Sequence, residues 1–335
     1  MPQVPPQVPL TPAGTLTPQA MLIRQGRLLR MFTMKLRMTA TAGIAVLALA
    51  ATATACGKSG SPGGTSTSGD GASSALPKYT VKSGVNLTGS KTWERIKKNG
   101  FITIGVKADQ PNLGYQNTAS GEYSGFDIEI AKMVAADLGF SKEKIKFKTI
   151  ASANRETAVS GGQVDYYVGT YTINDERKKQ ISFAGPYFIA GQDLLVKKGS
   201  SIKSTADLKG KKVCTAAGST SFTRIKDGGY GAKPVTYDTY SLCVQNLLSG
   251  QVDAVTTDDA ILKGYAAQNA GQLTVLGKPF SKEPYGIGLR KGDTVLQAAI
   301  TDALKRHEKN GDWQKAYKAT LGKSGVSASI PALES

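Results

Sequence analysis

Histidine is nearly absent from this 335-residue chain, which has one, His307, and only three cysteines, Cys56, Cys214 and Cys243. A Ser-His triad or a histidine-rich metal site would have to rest on His307 alone. It falls inside the helical pattern "TDALKRHEKNGDW", where an exposed position is expected. Cys-x-x-Cys does not occur. "LGKS" (321–324) ends like a phosphate-binding loop, but Tyr317 stands where that motif needs glycine; "CGKS" has Thr52 there. ATP hydrolysis is excluded, and no cofactor, metal site or catalytic group is expected. Acid is scarce too, with 25 Asp/Glu against 42 Lys/Arg and a formal charge of +17. The lysines are scattered and not interleaved with aromatics, which argues against nucleic acid.

Acidic residues are also missing from the basic patch Arg24–Arg37, which precedes the apolar run Met38–Ala55. That run falls short of the ~20 residues of a spanning helix. It ends in small residues, giving the three regions of a secretory signal over residues 1–55. Removing that segment, with five Lys/Arg and no acid, leaves +12. "ATAC" resembles a lipobox, with Ala53 where leucine is commoner, so Cys56 is expected to carry lipid. An uncut anchor helix is the alternative. Met31, Met34 and Met38 lie closer to the apolar run and are candidate starts. Residues 56–80 read as the lipidated cysteine and a disordered tether, since Gly, Ser and Thr offer nothing to bury. Residues 57–77 would span roughly 25 Å. In an exported chain, Cys214 and Cys243 are expected to pair, adding about 3 kcal/mol; two separate buried thiols are the alternative.

The folded part alternates strand and helix patterns, an α/β architecture. "FITIGV" (101–106), "KIKFKTI" (144–150) and "KKVCTA" (211–216) read as strands. Ile130, Ala131, Val134, Ala135 and Leu138 recur at helical spacing before Gly139. Gly-Gln-Val-Asp occurs in "SGGQVDYYVGT" (160–170) and in "LSGQVDAVTTD" (248–258), each time between helix and strand. "PYFIAGQDLLVKKG" and "PYGIGLRKG" both run from Pro-Tyr through a strand to a basic pair and glycine. These echoes predict two lobes of like design joined by two crossover strands. The first lobe would hold residues 88–188 plus 285–323, and the inserted second 193–280.

"GTYTINDERKKQISFAGPYF" (169–188) carries the strongest site signal. Asn174 can cap a helix whose first turn holds Arg177, where a cation is electrostatically out of place. A guanidinium there suits a carboxylate ligand; a surface pair with Asp175 or Glu176 is the plain alternative.

"GFDIEIA", "YTINDERKKQISFAGPYF" and "YGIGLRKGD" resemble the signatures of polar-amino-acid-binding proteins of ABC importers, over residues 90–322. Glu129 stands where that family usually has Asp. "IGVKADQPNLGY", "SANRE", "VCTAAGSTS" and "VDAVTTDDAIL" are similar to the branch that binds acidic amino acids. The resemblance implies a two-lobed, periplasmic-binding-protein-like (type II) fold. It implies that Arg177 grips the ligand α-carboxylate, with Thr172 adding its N–H and hydroxyl and the Thr170 carbonyl facing the ammonium. Ser219 and Thr220, at a helix start, suit the same carboxylate, or serve only as a cap. Asp258 would pair with the ammonium, or cap the next helix. Ser152 and Arg155 would contact the distal carboxylate; Lys107 would add charge, or be a solvated rim lysine.

The expected function is a monomeric, lipid-anchored receptor on the outer face of the cell membrane. It closes on glutamate, then aspartate in preference, and delivers it to a permease. Glutamine or asparagine binding is the first alternative, a dehydratase of the same fold the second. A sensor or adhesion module is the third.

Overall fold

The computed structural model describes residues 75–333. The expected signal segment, Cys56 and the tether up to residue 74 lie outside the described residues. Among the described residues no helix is long and apolar enough to cross a membrane.

In chain order the first part comprises α1 (Lys91–Asn99), β1 (Ile102–Val106), β2 (Asp109–Gln110), β3 (Gly114–Gln116), β4 (Tyr123–Ser124), α2 (Phe126–Asp137) and β5 (Ile145–Thr149). It continues through α3 (Arg155–Ser160), β6 (Tyr166–Tyr167), α4 (Asp175–Gln180) and β7 (Ile181–Ala190). Next come β8 (Gln192–Lys197), β9 (Lys212–Ala216), α5 (Thr220–Asp227), β10 (Lys233–Tyr237) and α6 (Tyr240–Ser249). β11 (Ala254–Asp258), α7 (Asp259–Gln268) and β12 (Leu273–Val275) follow. The last strand and α-helices among the described residues are β13 (Glu283–Arg290), α8 (Thr294–Lys309) and α9 (Asp312–Ala319).

Two mixed sheets form the two lobes, ordered β5-β1-β6-β13-β7 and β10-β9-β11-β8-β12, with β2-β3-β4 as a small third sheet. In each large sheet three parallel strands meet an antiparallel neighbour. α2 is buried nearly all round because it lies against β1, α8 and α9. β5 is an edge strand, and exposed Lys146 and Lys148 discourage further pairing.

The repeated Gly-Gln-Val-Asp has one structural use. Asp165 donates its N–H to the Thr103 carbonyl, and its carboxylate accepts the Thr103 N–H, both over 2.7 Å. Asp253 does the same to Lys212, over 2.8 and 2.7 Å. Each aspartate thus completes the ladder where a short strand joins its parallel neighbour.

The Pro-Tyr echoes also meet. β7 and β13 pair antiparallel, with Phe188 opposite Tyr285 and Ala190 opposite Glu283. Beyond them the Gln192 N–H donates to the Ser281 hydroxyl over 2.9 Å, and the Phe280 N–H to the Gln192 carbonyl over 2.8 Å. A Cβ on Gly191 would sit 2.7 Å from the Ser281 carbonyl oxygen and from Pro279 Cβ, so this crossing requires glycine.

Cys214 of β9 and Cys243 of α6 are bonded, pinning α6 to the second sheet. Two expectations are corrected. His307 is buried, not exposed: it shares the inner face of α8 with Ile300, Ala303 and Leu304. Its Nδ1 lies 2.8 Å from the Asp312 carboxylate, and burial lowers its pKa. Tyr79 falls within the expected tether yet is docked, donating to Glu129 over 2.8 Å and meeting the His307 ring edge-on. An aromatic ring with a polar partner has enough to bury, which the Gly/Ser/Thr run before it lacks.

Candidate functional site

In an open α/β sheet, ligands bind beyond the carboxyl ends of parallel strands, where successive connections leave in opposite directions. β1 lies between β5 and β6, and β9 between β10 and β11, so each sheet has such a point. The segments leaving these strands carry the expected residues. Lys107 follows β1; Ser152 and Arg155 follow β5. Thr170, Thr172 and Arg177 follow β6, Ser219 and Thr220 follow β9, and Asp258 ends β11.

One side is cationic. Lys107 is 3% exposed, and its Nζ donates to the Ser152 hydroxyl over 2.7 Å. Burial, reinforced by the Arg155 guanidinium, pushes its pKa down to about 7. Arg155 is buried and donates from Nε to the Ser152 carbonyl over 3.1 Å and from Nη1 to the Thr170 carbonyl over 3.3 Å. Arg177 donates from Nη1 to the Thr172 carbonyl over 2.7 Å and from Nε to the Glu156 carboxylate over 3.0 Å. Burial, then Arg155, holds the Arg177 pKa below its ordinary value. Both guanidiniums lie over the Tyr171 ring, 4.4 and 4.9 Å from its centroid. Such contacts strengthen when water is excluded.

The two arginines reach across to the second lobe, each donating from Nη2 to the Gly218 carbonyl. Gly218 has φ +71, and a Cβ there would lie 2.5 Å from Ala153 Cα. Only glycine lets the lobes approach so closely.

The opposite side consists of acceptors. Asp258 is buried; its Oδ2 accepts from the Tyr285 hydroxyl over 2.7 Å, and its Oδ1 has no hydrogen-bond partner among the described residues. Burial and the neighbouring Glu283 raise its pKa to about 7. A buried carboxylate oxygen without a donor is costly and suits an incoming cation. Thr170 sits at φ 45, rare for a residue with a Cβ. Its N–H is held by Asp127 over 3.0 Å, and Asp127 is itself pushed up to about 6 by burial. The Thr172 and Thr220 hydroxyls donate to one oxygen, Glu283 Oε2, over 2.8 and 2.9 Å.

Of the nine expected residues, Arg155 and Arg177 meet Gly218 of the second lobe, Thr172 and Thr220 meet on Glu283, and Lys107 meets Ser152. Ser219 is spent on its helix: its hydroxyl donates to the Ala216 carbonyl over 2.7 Å and accepts the Phe222 N–H over 3.0 Å. Asp258 stands at the helix cap position without making the cap bond, leaving its carboxylate to Tyr285. Glu156, Tyr171, Tyr285 and Glu283 were not foreseen. The signal for Glu283 was present, an acid directly before the second Pro-Tyr where the first has glycine. The outer mouth of the cleft is a cavity of about 560 Å³ lined by Glu156, Arg177, Gly218, Thr220 and Arg224 among others.

Residues 102–323 match the family described as bacterial extracellular solute-binding proteins, family 3. The chain is 44% identical to the ABC transporter glutamine-binding protein GlnH of Bacillus subtilis over 229 residues, 68% of this chain and 83% of that one. It is 40% identical to the glutamate-binding protein GluB of Corynebacterium efficiens over 236 residues, 67% and 80% of the two chains. An ancestral arginine-binding protein solved with glutamine bound superposes with a TM-score of 0.63 at 41% identity, covering 67% of this chain and 98% of that one.

Proposed function

Because the chain belongs to the bacterial extracellular solute-binding proteins, family 3, we propose that it captures an acidic amino acid, glutamate before aspartate, by closing its two lobes. It then hands the ligand to the permease of an ABC importer. Lobe one spans residues 88–188 with 285–323, and lobe two 193–280. The chain acts as a monomer without catalysing a reaction, held by lipid on Cys56 at the outer face of the membrane.

The observation that carries the acidic reading is Lys107. It is a buried ammonium whose one hydrogen-bond partner among the described residues is the Ser152 hydroxyl, with Arg155 close enough to depress its pKa. Two buried cations that converge on Ser152, Lys107 at its hydroxyl and Arg155 at its carbonyl, fit a side-chain carboxylate, which relieves their repulsion and replaces lost hydration. Arg177 and the Thr172 N–H take the α-carboxylate. Thr172 is bridged to Tyr285 as the pair between the Ile173-to-Pro284 and Gly286-to-Tyr171 bonds, so its N–H faces away from β13. The Thr220 and Ser221 N–H groups, ahead of the Phe222 N–H that Ser219 caps, add to that carboxylate site. Asp258 and the Thr170 carbonyl take the ammonium, which lies next to the carboxylate on the same ligand carbon and so also within reach of the Thr172 and Thr220 hydroxyl oxygens.

Glutamine is the second reading. It is supported by the 44% identity to a glutamine-binding relative and by a Lys107 poised near neutrality, which an amide oxygen would also satisfy. Isothermal titration of the chain lacking residues 1–55 with glutamate, aspartate, glutamine and asparagine tests the choice. Glutamate should bind tightest; preferential binding of glutamine would overturn the acidic assignment.

A further inference from the structure

We infer that Glu283 is a positioning residue of the ligand site: an internal carboxylate that turns the Thr172 and Thr220 hydroxyls into acceptors and reserves that end of the cleft for an α-ammonium. This rests on the amino-acid reading above, but not on which side chain is preferred.

Glu283 lies on the returning crossover strand and is fully buried. Four groups donate to it. Oε2 takes the Thr172 and Thr220 hydroxyls over 2.8 and 2.9 Å. Oε1 takes Arg224 Nη1 over 2.8 Å and the Ser281 hydroxyl over 2.7 Å. Arg224 also meets the Gln192 side chain over 2.5 Å, at the other crossover. The acid is therefore paired and fully solvated by protein, the condition for keeping a charge in the interior.

A threonine hydroxyl carries one proton and two lone pairs. With both protons committed to Glu283, the Thr172 and Thr220 oxygens offer only lone pairs to anything else. Tyr285 is two residues along the same strand, so it projects to the same face as Glu283. It holds Asp258 so that Oδ1 is left without a donor. One face of β13 thereby organises a wall of acceptors drawn from both lobes. An ammonium, with three protons and no lone pair, satisfies that wall; the carbonyl of a 2-oxo acid meets lone pairs on every side.

The test uses the intact protein and its Glu283→Gln variant. Titrations cover L-glutamate with 2-oxoglutarate, and L-glutamine with its 2-oxo analogue. The amide presents N–H protons to the threonines or to Arg224, so the hydroxyl protons are no longer fixed. The amino acid should bind about tenfold more weakly, while the oxo acid binds more strongly than to the parent protein. Unchanged amino-acid affinity, or a loss without any gain for the oxo acid, overturns the assignment. If Glu283→Gln fails to fold, Thr172→Val reads the same relation: the amino acid should weaken and the oxo acid should not. Equal weakening of both overturns it. A parent protein that takes glutamine and refuses glutamate defeats the acidic reading but leaves this comparison intact through the glutamine pair. One that takes neither defeats both.

Discussion

Arg155 and Arg177 aim one terminal nitrogen each at a single oxygen, the Gly218 carbonyl, over 3.5 and 3.3 Å. Two cations of the first lobe thus share one neutral acceptor of the second. A carboxylate is the stronger partner for a guanidinium, so a bound amino acid competes well for these donors. Arg177→Ala should lower amino-acid affinity at least about 100-fold. Arg177→Lys should recover only part of it, because one ammonium cannot reproduce the planar fork. Arg155→Ala should instead shift the ratio of glutamate to glutamine affinity. Titration calorimetry reads all three; equal losses for both ligands in Arg155→Ala would move that residue to the α-carboxylate end.

Affinity for glutamate should peak near neutral pH. Asp258, raised to about 7 by burial and then by Glu283, must be ionised to hold the ammonium, so affinity rises as pH climbs toward that value. Lys107, lowered to about 7 by burial and then by Arg155, must be protonated to hold the distal carboxylate, so affinity falls as pH passes above it. Lys107→Met should abolish the alkaline fall and leave the acidic one. Calorimetric titrations across the neutral range check this, and a flat profile for the parent protein contradicts it.

Gly218→Ala should block closure. The added methyl carbon would lie 2.5 Å from Ala153 Cα across the cleft, on top of the cost of φ +71. Gly277→Ala is the control: φ is +69, and none of the described residues lies within 4 Å of the new carbon. Both should lose about 1 kcal/mol of stability. Only the cleft variant should lose ligand affinity and the ligand-induced decrease in radius of gyration seen by small-angle scattering.

The lone histidine gives an unambiguous NMR signal. Burial depresses the His307 pKa despite the Asp312 carboxylate, so its midpoint should fall below the ordinary 6.5. A folded-state pKa below the unfolded one means that this group's contribution to stability is present above 6.5 and is lost as pH falls from there through the lower folded-state value. The neutral ring should carry its proton on Nδ1, facing Asp312. A midpoint above 6.5 would show that the ion pair outweighs burial.

Local patterns made much of this legible. The paired Gly-Gln-Val-Asp strings mark one strand-joining device in two sheets, and the paired Pro-Tyr strings mark two strands that lie side by side. Such repeats survive because the same backbone problem is solved twice. Arg177 stood out because a cation at a helix start needs an anion. Glu283 could not be assigned its role from sequence, since its donors Thr172, Thr220 and Arg224 lie 111, 63 and 59 residues away. For Ser219 the sequence leaves a cap and a ligand contact both open, because the two need the same residue type; the structure shows the cap bond to Phe222. His307 was readable: Ile300, Ala303, Leu304 and His307 share one helical face, and the polarity of imidazole hid the pattern.

At the crossing, residues 191 and 281 are close neighbours, for a side-chain carbon on Gly191 would fall 2.7 Å from the Ser281 carbonyl oxygen. The intervening stretch therefore leaves and rejoins the rest of the polypeptide at nearly one point, like a cassette in a slot. Such a piece can be exchanged for its counterpart from another receptor with two short joins. The half of the recognition chemistry that we propose for Thr220 and Asp258 could then diversify while the other half stays fixed.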